Sequence, residues 1–350
     1  MPPPPLSFGV IADVQWADID DGTNFDRSVA RRYRGALAQL RAAAQWWQAH
    51  APLAFVAQLG DLIDGKNAPL GQSRRALDAA LELLDTVACP KVHLIGNHEL
   101  YNFDREECAQ RLHTARGGRE FYSITPAAGV RVIVLDSFHE SIILPTAGSP
   151  SSREQITRGE AYQRSLQLLQ AHNPNDILSR ADWTKGLVGH ARRFVPYNGG
   201  LGRAQLEWFR EELSAAAAAR ERVVVLSHAV LHPDACDGTT MAHDFEQALQ
   251  AIAEHPCTVA VLCGHDHMGG YHKDEQGVHH ITFQSPLNRG AEGHAYGVVT
   301  LHADRLEVRS PALGDLLPSV KLPTAQLHAD DSEFVDLPFP KLNKQAEGTK

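Results

Sequence analysis

Long apolar runs are missing from this 350-residue chain. No stretch is extended enough to span a bilayer, and the opening MPPPPLSFGVIADV lacks the basic-then-apolar layout of a signal peptide. Cysteine is scarce, with Cys89, Cys108, Cys236, Cys257 and Cys263 forming no C-x-x-C pair. An odd count, in a chain too large to need staples, excludes a disulfide framework and suits a reducing compartment. Excess positive charge is absent as well. The net charge of −9 argues against a protein that coats nucleic-acid polymers by neutralising phosphates. It leaves small phosphorylated ligands open, because bound cations invert a local field. There is no internal repeat, and low complexity is limited to the first prolines and the alanines before Arg220. These absences lead us to expect a cytoplasmic protein with no membrane or nucleic-acid partner. Its 43% hydrophobic content is enough for one large core or two modest ones.

What is present is a series of short, β-branched apolar runs that end in polar residues: FGVIAD, FVAQLGD, KVHLIGNHE, RVIVLDS, RVVVLSH and VAVLCGHDH. Runs of this length bounded by Gly, Asp or Asn read as buried strands. Between them, Arg31 to His50 sets Leu37, Leu40, Ala44 and Trp47 on one helical stripe. Ser73 to Ala88 repeats the pattern with Leu77, Leu81, Leu84 and Val87, and Arg203 to Arg220 with Leu206, Phe209 and Leu213. Strands alternating with helices predict an α/β fold with buried sheets. Residues 138–202 break the rhythm, being polar and rich in Pro, Ser and Gly with one short helix around Glu160 to Ala171. Such a stretch is either a cap near a site or a surface insertion. We expect one domain over 1–328 and a polar, loosely docked tail over 329–350.

The polar residues at the strand ends are of one kind. Asp13 and Gln15, Asp61 and Asp64, Asn97 and His98, His228, then His265 and His267 each follow an apolar run. In open α/β sheets ligands collect beyond the carboxyl ends of strands, so these carboxylates, amides and imidazoles reach a common edge. Each cluster alone has a bland reading. Asp-x-Gln after a strand is commonly a turn or helix cap, and a lone His such as His228 is commonly a satisfied core residue. Gly-His-x-His puts two imidazoles on one short loop, a spacing that suits a metal.

Taken in order they spell D-x-Q, G-D-x-x-D, G-N-H-E, S-H and G-H-x-H between Asp13 and His267. This set resembles the calcineurin-like metallophosphoesterases, whose usual pattern differs chiefly in having D-x-H first. The resemblance implies a four-layer α/β/β/α sandwich of two mixed β-sheets flanked by helices. It also implies two divalent cations bridged by Asp61, one site completed by Asp13, Gln15 and His267, the other by Asn97, His228 and His265. A hydroxide activated by both cations would attack phosphorus, while His98 stands at the leaving oxygen and Asp64 orients His98. Gln15 in place of His puts a harder, neutral oxygen in the site, which favours Mn²⁺, or Mg²⁺, over Zn²⁺ or iron.

The flanking text is similar to a narrower branch, the manganese-dependent ADP-ribose/CDP-alcohol diphosphatases, through the same Gln, GNHELYNF and a late N-G-G segment. That resemblance implies hydrolysis of the pyrophosphate in nucleoside diphosphate-linked small molecules such as ADP-ribose, CDP-choline or CDP-glycerol. Phe25, Tyr101, Phe103 and Tyr197 lie near the motifs and could face a base, though core packing is the commoner fate of aromatics. Asn198, Gly199 and Gly200 could present amides to a phosphate, or simply form a turn. Arg192 and Arg193 are candidates for charge contact, Asp136 for shaping a loop, and His279 and His280 for structural roles. Competing readings on the same core are a phosphodiesterase for cyclic nucleotides or other diesters, a phosphoprotein phosphatase, and a metal-binding scaffold without catalysis. Oligomeric state and substrate preference are not legible in these residues.

Overall fold

The computed structural model describes residues 5–50, 52–146, 150–179, 182–318, 322–323 and 325–339. In the first third of the chain, β1 (Leu6–Ile11) leads through a two-stranded ribbon, β2 (Gly22–Thr23) and β3 (Ala30–Arg31), to helix α1 (Tyr33–Ala49). β4 (Val56–Gln58), α2 (Ser73–Asp85), β5 (Lys91–His93), α3 (Asn97–Asn102) and α4 (Arg105–Leu112) follow. The second sheet begins with β6 (Tyr122–Ala127) and β7 (Val130–Val134). After α5 (Pro150–Arg158) and α6 (Glu160–His172), α7 (Gly202–Ala218), β8 (Arg222–Ser227), α8 (Phe245–Ala253) and β9 (Thr258–Cys263) complete the α/β rhythm. The remaining strands are β10 (Gly270–Lys273), β11 (His279–Thr282), β12 (Gly297–Leu301), β13 (Arg305–Ser310), β14 (Gln326–Leu327) and β15 (Glu333–Pro338).

These strands make two mixed sheets, ordered β14-β15-β13-β12-β1-β4-β5 and β10-β11-β9-β8-β7-β6. The strands that end in candidate ligands are the parallel ones, β1-β4-β5 in one sheet and β8-β9 in the other. The inner faces meet in one apolar layer containing Phe8, Val132, Leu226, Leu262, Phe283 and Val299. The outer face of the first sheet is covered by α1 and α2 through Leu40, Trp47, Leu77 and Leu84. The outer face of the second is covered by α7 and α8 through Phe209, Leu213, Phe245 and Ile252. Both faces of each sheet are thus buried, which is why β8 and β9 read as unbroken apolar runs rather than alternating ones. The four-layer sandwich is the expected one.

Two segments differ from their sequence-based description. Among the described residues of 138–202 there are two α-helices, α5 and α6, a 3-10 turn at Gly189–Arg193, and a small core formed by Ile142, Tyr162, Leu169, Ile177 and Phe194. The polar tail expected over 329–350 is a strand in its first half. β15 pairs antiparallel with β13 from Glu333↔Ser310 to Pro338↔Arg305, burying Val335 and Leu337. Only two inward side chains are needed to hold that edge, too few to stand out in a polar stretch. Residues 340–350 lie outside the described part of the chain. Among the described residues no helix is long and apolar enough to cross a membrane.

Candidate metal centre

The carboxyl ends of β1, β4, β5, β8 and β9 converge, and the chain turns sharply at each. Asp13, Gln15, Asp61 and His265 all have left-handed backbones, with φ between 45° and 69°. Such conformations cost on the order of 1 kcal/mol or more for a residue with a side chain. Among the described residues only eight non-glycine positions have positive φ, and these four are half of them. The strain is concentrated where the polar groups meet. The motif glycines serve close approach: a Cβ on Gly264 would come within 2.6 Å of Asp13 Oδ2, and one on Gly96 would collide with the Asp61 carboxylate.

Asp61 is the hub. Its Oδ2 lies 3.5 Å from His228 Nε2 and accepts from Gln15 Nε2 at 3.0 Å, and its Oδ1 accepts from the His98 backbone N–H at 2.7 Å. Asp13 Oδ1 is 3.6 Å from His267 Nε2 and 3.9 Å from His228 Nε2. The ligand atoms of Asp61, His228 and His265 lie within 4.8 Å of one another, all buried. The structure therefore brings Asp13, Gln15, Asp61, His228, His265 and His267 to one place, with Asn97 beside them at the start of α3.

These donors fit divalent cations because they are otherwise left without partners. Asp13 Oδ1, Gln15 Oε1, Asn97 Oδ1 and His228 Nε2 are buried and make no hydrogen bond. Each such atom costs roughly 1–3 kcal/mol when left unpaired, and four of them converge at this one spot. The imidazoles are oriented for it. His228 Nδ1–H donates to the Leu59 carbonyl at 2.7 Å, which leaves the Nε2 lone pair facing the two aspartates. His265 Nε2–H donates to Asn198 Oδ1 at 2.7 Å, which leaves Nδ1 free. A partner on the far nitrogen is the usual support of a metal-binding histidine. Gln15 presents its amide nitrogen to Asp61 and to His267 (2.9 Å). A half-turn of the amide exchanges it for the unpartnered oxygen.

The electrostatics agree. Burial pushes the Asp13 carboxyl up to about 7, against the pull of His228. Asp61, equally buried, is held below the carboxylate range because His228 and His98 outweigh desolvation. Burial and the charge of Arg31 hold His267 down at about 3, so it offers a lone pair.

His98 stands at the rim of this cluster. Its Nδ1 accepts from the Gly65 N–H at 2.8 Å and lies 3.3 Å from Asp64 Oδ2. In the neutral ring the proton is therefore on Nε2. Burial opposes charging the ring, but Asp61 and Asp64 outweigh it and raise its pKa. Glu99, the last letter of G-N-H-E, fixes the geometry from below by accepting from the backbone N–H groups of Asp61, Leu62 and Gly96 at 2.6–2.8 Å.

Above the cluster opens a cavity of about 750 Å³. Phe25, 93% exposed, is at its mouth, and Tyr101 and Tyr197 line it. Phe103 is in the core against α4. Asn198 and Gly199 do not line the cavity. The Asn198 amide is spent on His265, Arg193 and Thr239, and Gly199 packs on Ser137 and Phe138. Arg192 faces the cavity, whereas Arg193 is paired with Glu246. Asp136 is tied to Arg105 at 2.6 Å and caps the turn at Phe138. Sequence reasoning missed several wall residues, among them Arg31, Trp183 and Asp237. Arg31, with a buried and unpartnered Nε, was hidden in a charged run that read as helix, and Trp183 and Asp237 stand singly in polar loops with no pattern to mark them.

Comparison with known proteins identifies the family. The model of the calcineurin-like phosphoesterase family matches residues 6–269. A protein of Danio rerio described as a manganese-dependent ADP-ribose/CDP-alcohol diphosphatase is 35% identical over 88% of this chain and 96% of its own length. A counterpart from Arabidopsis thaliana with the same description is 35% identical over 87% of this chain and 94% of its own. A crystal structure of a dimetal phosphatase from Danio rerio superimposes with a TM-score of 0.80 at 33% identity, covering 89% of this chain and 96% of that one.

Proposed function

This chain belongs to the calcineurin-like phosphoesterase family and is a hydrolase; on that premise we propose that it cleaves the pyrophosphate bond of nucleoside diphosphate-linked small molecules. ADP-ribose and CDP-alcohols such as CDP-choline and CDP-glycerol are the substrates we assign, giving a nucleoside monophosphate and a phosphorylated product. One observation carries the reading: unpartnered ligand atoms converge at the floor of a cavity of about 750 Å³ walled by aromatic rings and two arginines. That volume suits a nucleotide-sized molecule, not the flat surface of a phosphoprotein.

The residues we assign to the cations are Asp13, Gln15, Asp61 and His267 for one, and Asp61, Asn97, His228 and His265 for the other, with manganese as the native metal. When bound, such a pair polarises phosphoryl oxygens and lowers the pKa of an attacking water. The chain's own groups do the rest. His98 holds a proton on Nε2 for the leaving oxygen, and the nearby Asp64 and Asp61 carboxylates keep that ring basic. Arg31 and Arg192 neutralise the distal phosphate, and Phe25 and Trp183 offer flat faces to the base. The segment 138–202 acts as a cap on the single catalytic domain, since it supplies Trp183, Arg192 and Tyr197 to the wall. The five unpaired cysteines support a reducing, cytoplasmic setting.

Hydrolysis of a panel by manganese-loaded protein tests the proposal. ADP-ribose, CDP-choline and CDP-glycerol should release AMP or CMP. Turnover of only cyclic nucleotides or a generic diester would overturn the substrate class.

A further inference from the structure

A second group of metal-competent side chains stands outside the cavity. It lies where the loop after β8 packs on β10. His232 stacks on His272 with ring centroids 4.2 Å apart and 18° between planes, and its centroid is 4.5 Å from that of His280. The ligand atoms of His232, Asp234 and His272 fall within 4.8 Å of one another. We propose that His232, Asp234 and His272 form a further binding site for a divalent transition cation of the zinc class, separate from the catalytic pair.

Three features favour a cation over a chance cluster. First, the lone pair of His232 Nδ1 is only loosely engaged: it accepts a 3.2 Å bond from the exposed N–H of Asp234, which water can satisfy instead. Second, the carboxylate is already at hand, with Asp234 Oδ2 3.7 Å from His272 Nδ1. Ligands about 2.1 Å from a tetrahedral ion sit about 3.4 Å apart, so closure needs a shift of about an ångström, within reach of the exposed Asp234 side chain. Third, His280 is 1% exposed, and its Nδ1 is buried with no partner while its Nε2 meets Asp274 Oδ2 at 3.1 Å. Held by Asp274, the buried His280 ring packs against His232 and backs that ligand. Two nitrogens and one carboxylate select zinc-like ions, whereas the oxygen-rich catalytic centre selects harder ones.

The consequence is mechanical. The same loop carries Asp237, Thr239 and Thr240 into the cavity wall, and the Asp237 N–H donates at 2.9 Å to Asp266, between His265 and His267. A cation at His232, Asp234 and His272 ties that loop to β10 and stiffens one wall.

The test counts zinc by mass spectrometry in tag-free, manganese-loaded protein dialysed against micromolar Zn²⁺. Zinc that exchanges into the catalytic pair does so equally in the wild type and in His272→Gln, so the difference isolates the second site. The wild type should hold one more zinc per chain than His272→Gln. Asp234→Asn should release that extra zinc at 10-fold or more higher free concentration than the wild type. His232→Gln, on the loop rather than the strand, should reproduce the loss independently of any disturbance to β10. Equal zinc content in the wild type and both histidine variants would overturn the proposal.

Discussion

Replacing Asn198 with alanine removes one side-chain amide that serves three partners. Its Oδ1 accepts from His265 Nε2 at 2.7 Å, and its Nδ2 donates to the carbonyls of Arg193 at 2.8 Å and Thr239 at 2.7 Å. The residue is fully buried. Each group left unpaired costs roughly 1–3 kcal/mol, so the variant should lose about 3–9 kcal/mol unless water enters the space, and its melting temperature should fall by at least about 5 °C. The functional effect follows from His265, whose ring loses the partner that fixes its orientation. Removing such support typically weakens metal binding by about 10–100-fold. Activity measured against free Mn²⁺ should therefore need about 10–100 times more metal, with most of the turnover recovered at saturation and KM for the nucleotide little changed. If half-saturation by manganese were unchanged while KM rose, Asn198 would be a substrate contact, as the N-G-G segment suggested from sequence, and the positioning argument would fail.

Other expectations follow from the same geometry. His98→Ala should retain both metals by elemental analysis yet lose about two to four decades of turnover, as for a positioned proton donor; unchanged turnover would remove His98 from the mechanism. Gln15→His exchanges a hard oxygen for imidazole and should raise the activity supported by Zn²⁺ relative to Mn²⁺, read as the ratio of the two rates. Phe25→Ala, at a residue 93% exposed, should change stability by no more than about 0.5 kcal/mol but raise KM for ADP-ribose. An unaltered KM would take Phe25 out of the substrate site.

How much of this was legible depends on how each element is buried. β1, β4, β5, β7, β8 and β9 stood out because they are mostly buried and lie in largely apolar runs, broken by Gln58, Lys91, His93 and Arg131, and the ends of all but β7 carry the ligand set in chain order. β10 to β15 gave no such signal: β10, β11 and β14 have four residues or fewer, and the antiparallel β13 and β15 mix charged residues with their buried apolar ones. α5 was hidden by its polarity. At the site, residues that face the cations could be named from motif spacing, while residues that act through backbone groups could not. Glu99 holds three N–H groups and Asn198 holds His265, and neither role leaves a trace in residue type. Arg31 and Trp183 reach the cavity only because the β2-β3 ribbon and the 138–202 segment fold over it.

The proposed dependence on two manganese ions, both relying on Asp61, is tested most directly by following AMP release from ADP-ribose as Mn²⁺ is added to metal-stripped protein. The wild type should be silent in chelator and reach full rate only beyond two equivalents, while Asp61→Ala stays silent throughout. AMP release in chelator, or an Asp61→Ala protein activated like the wild type, would contradict the account.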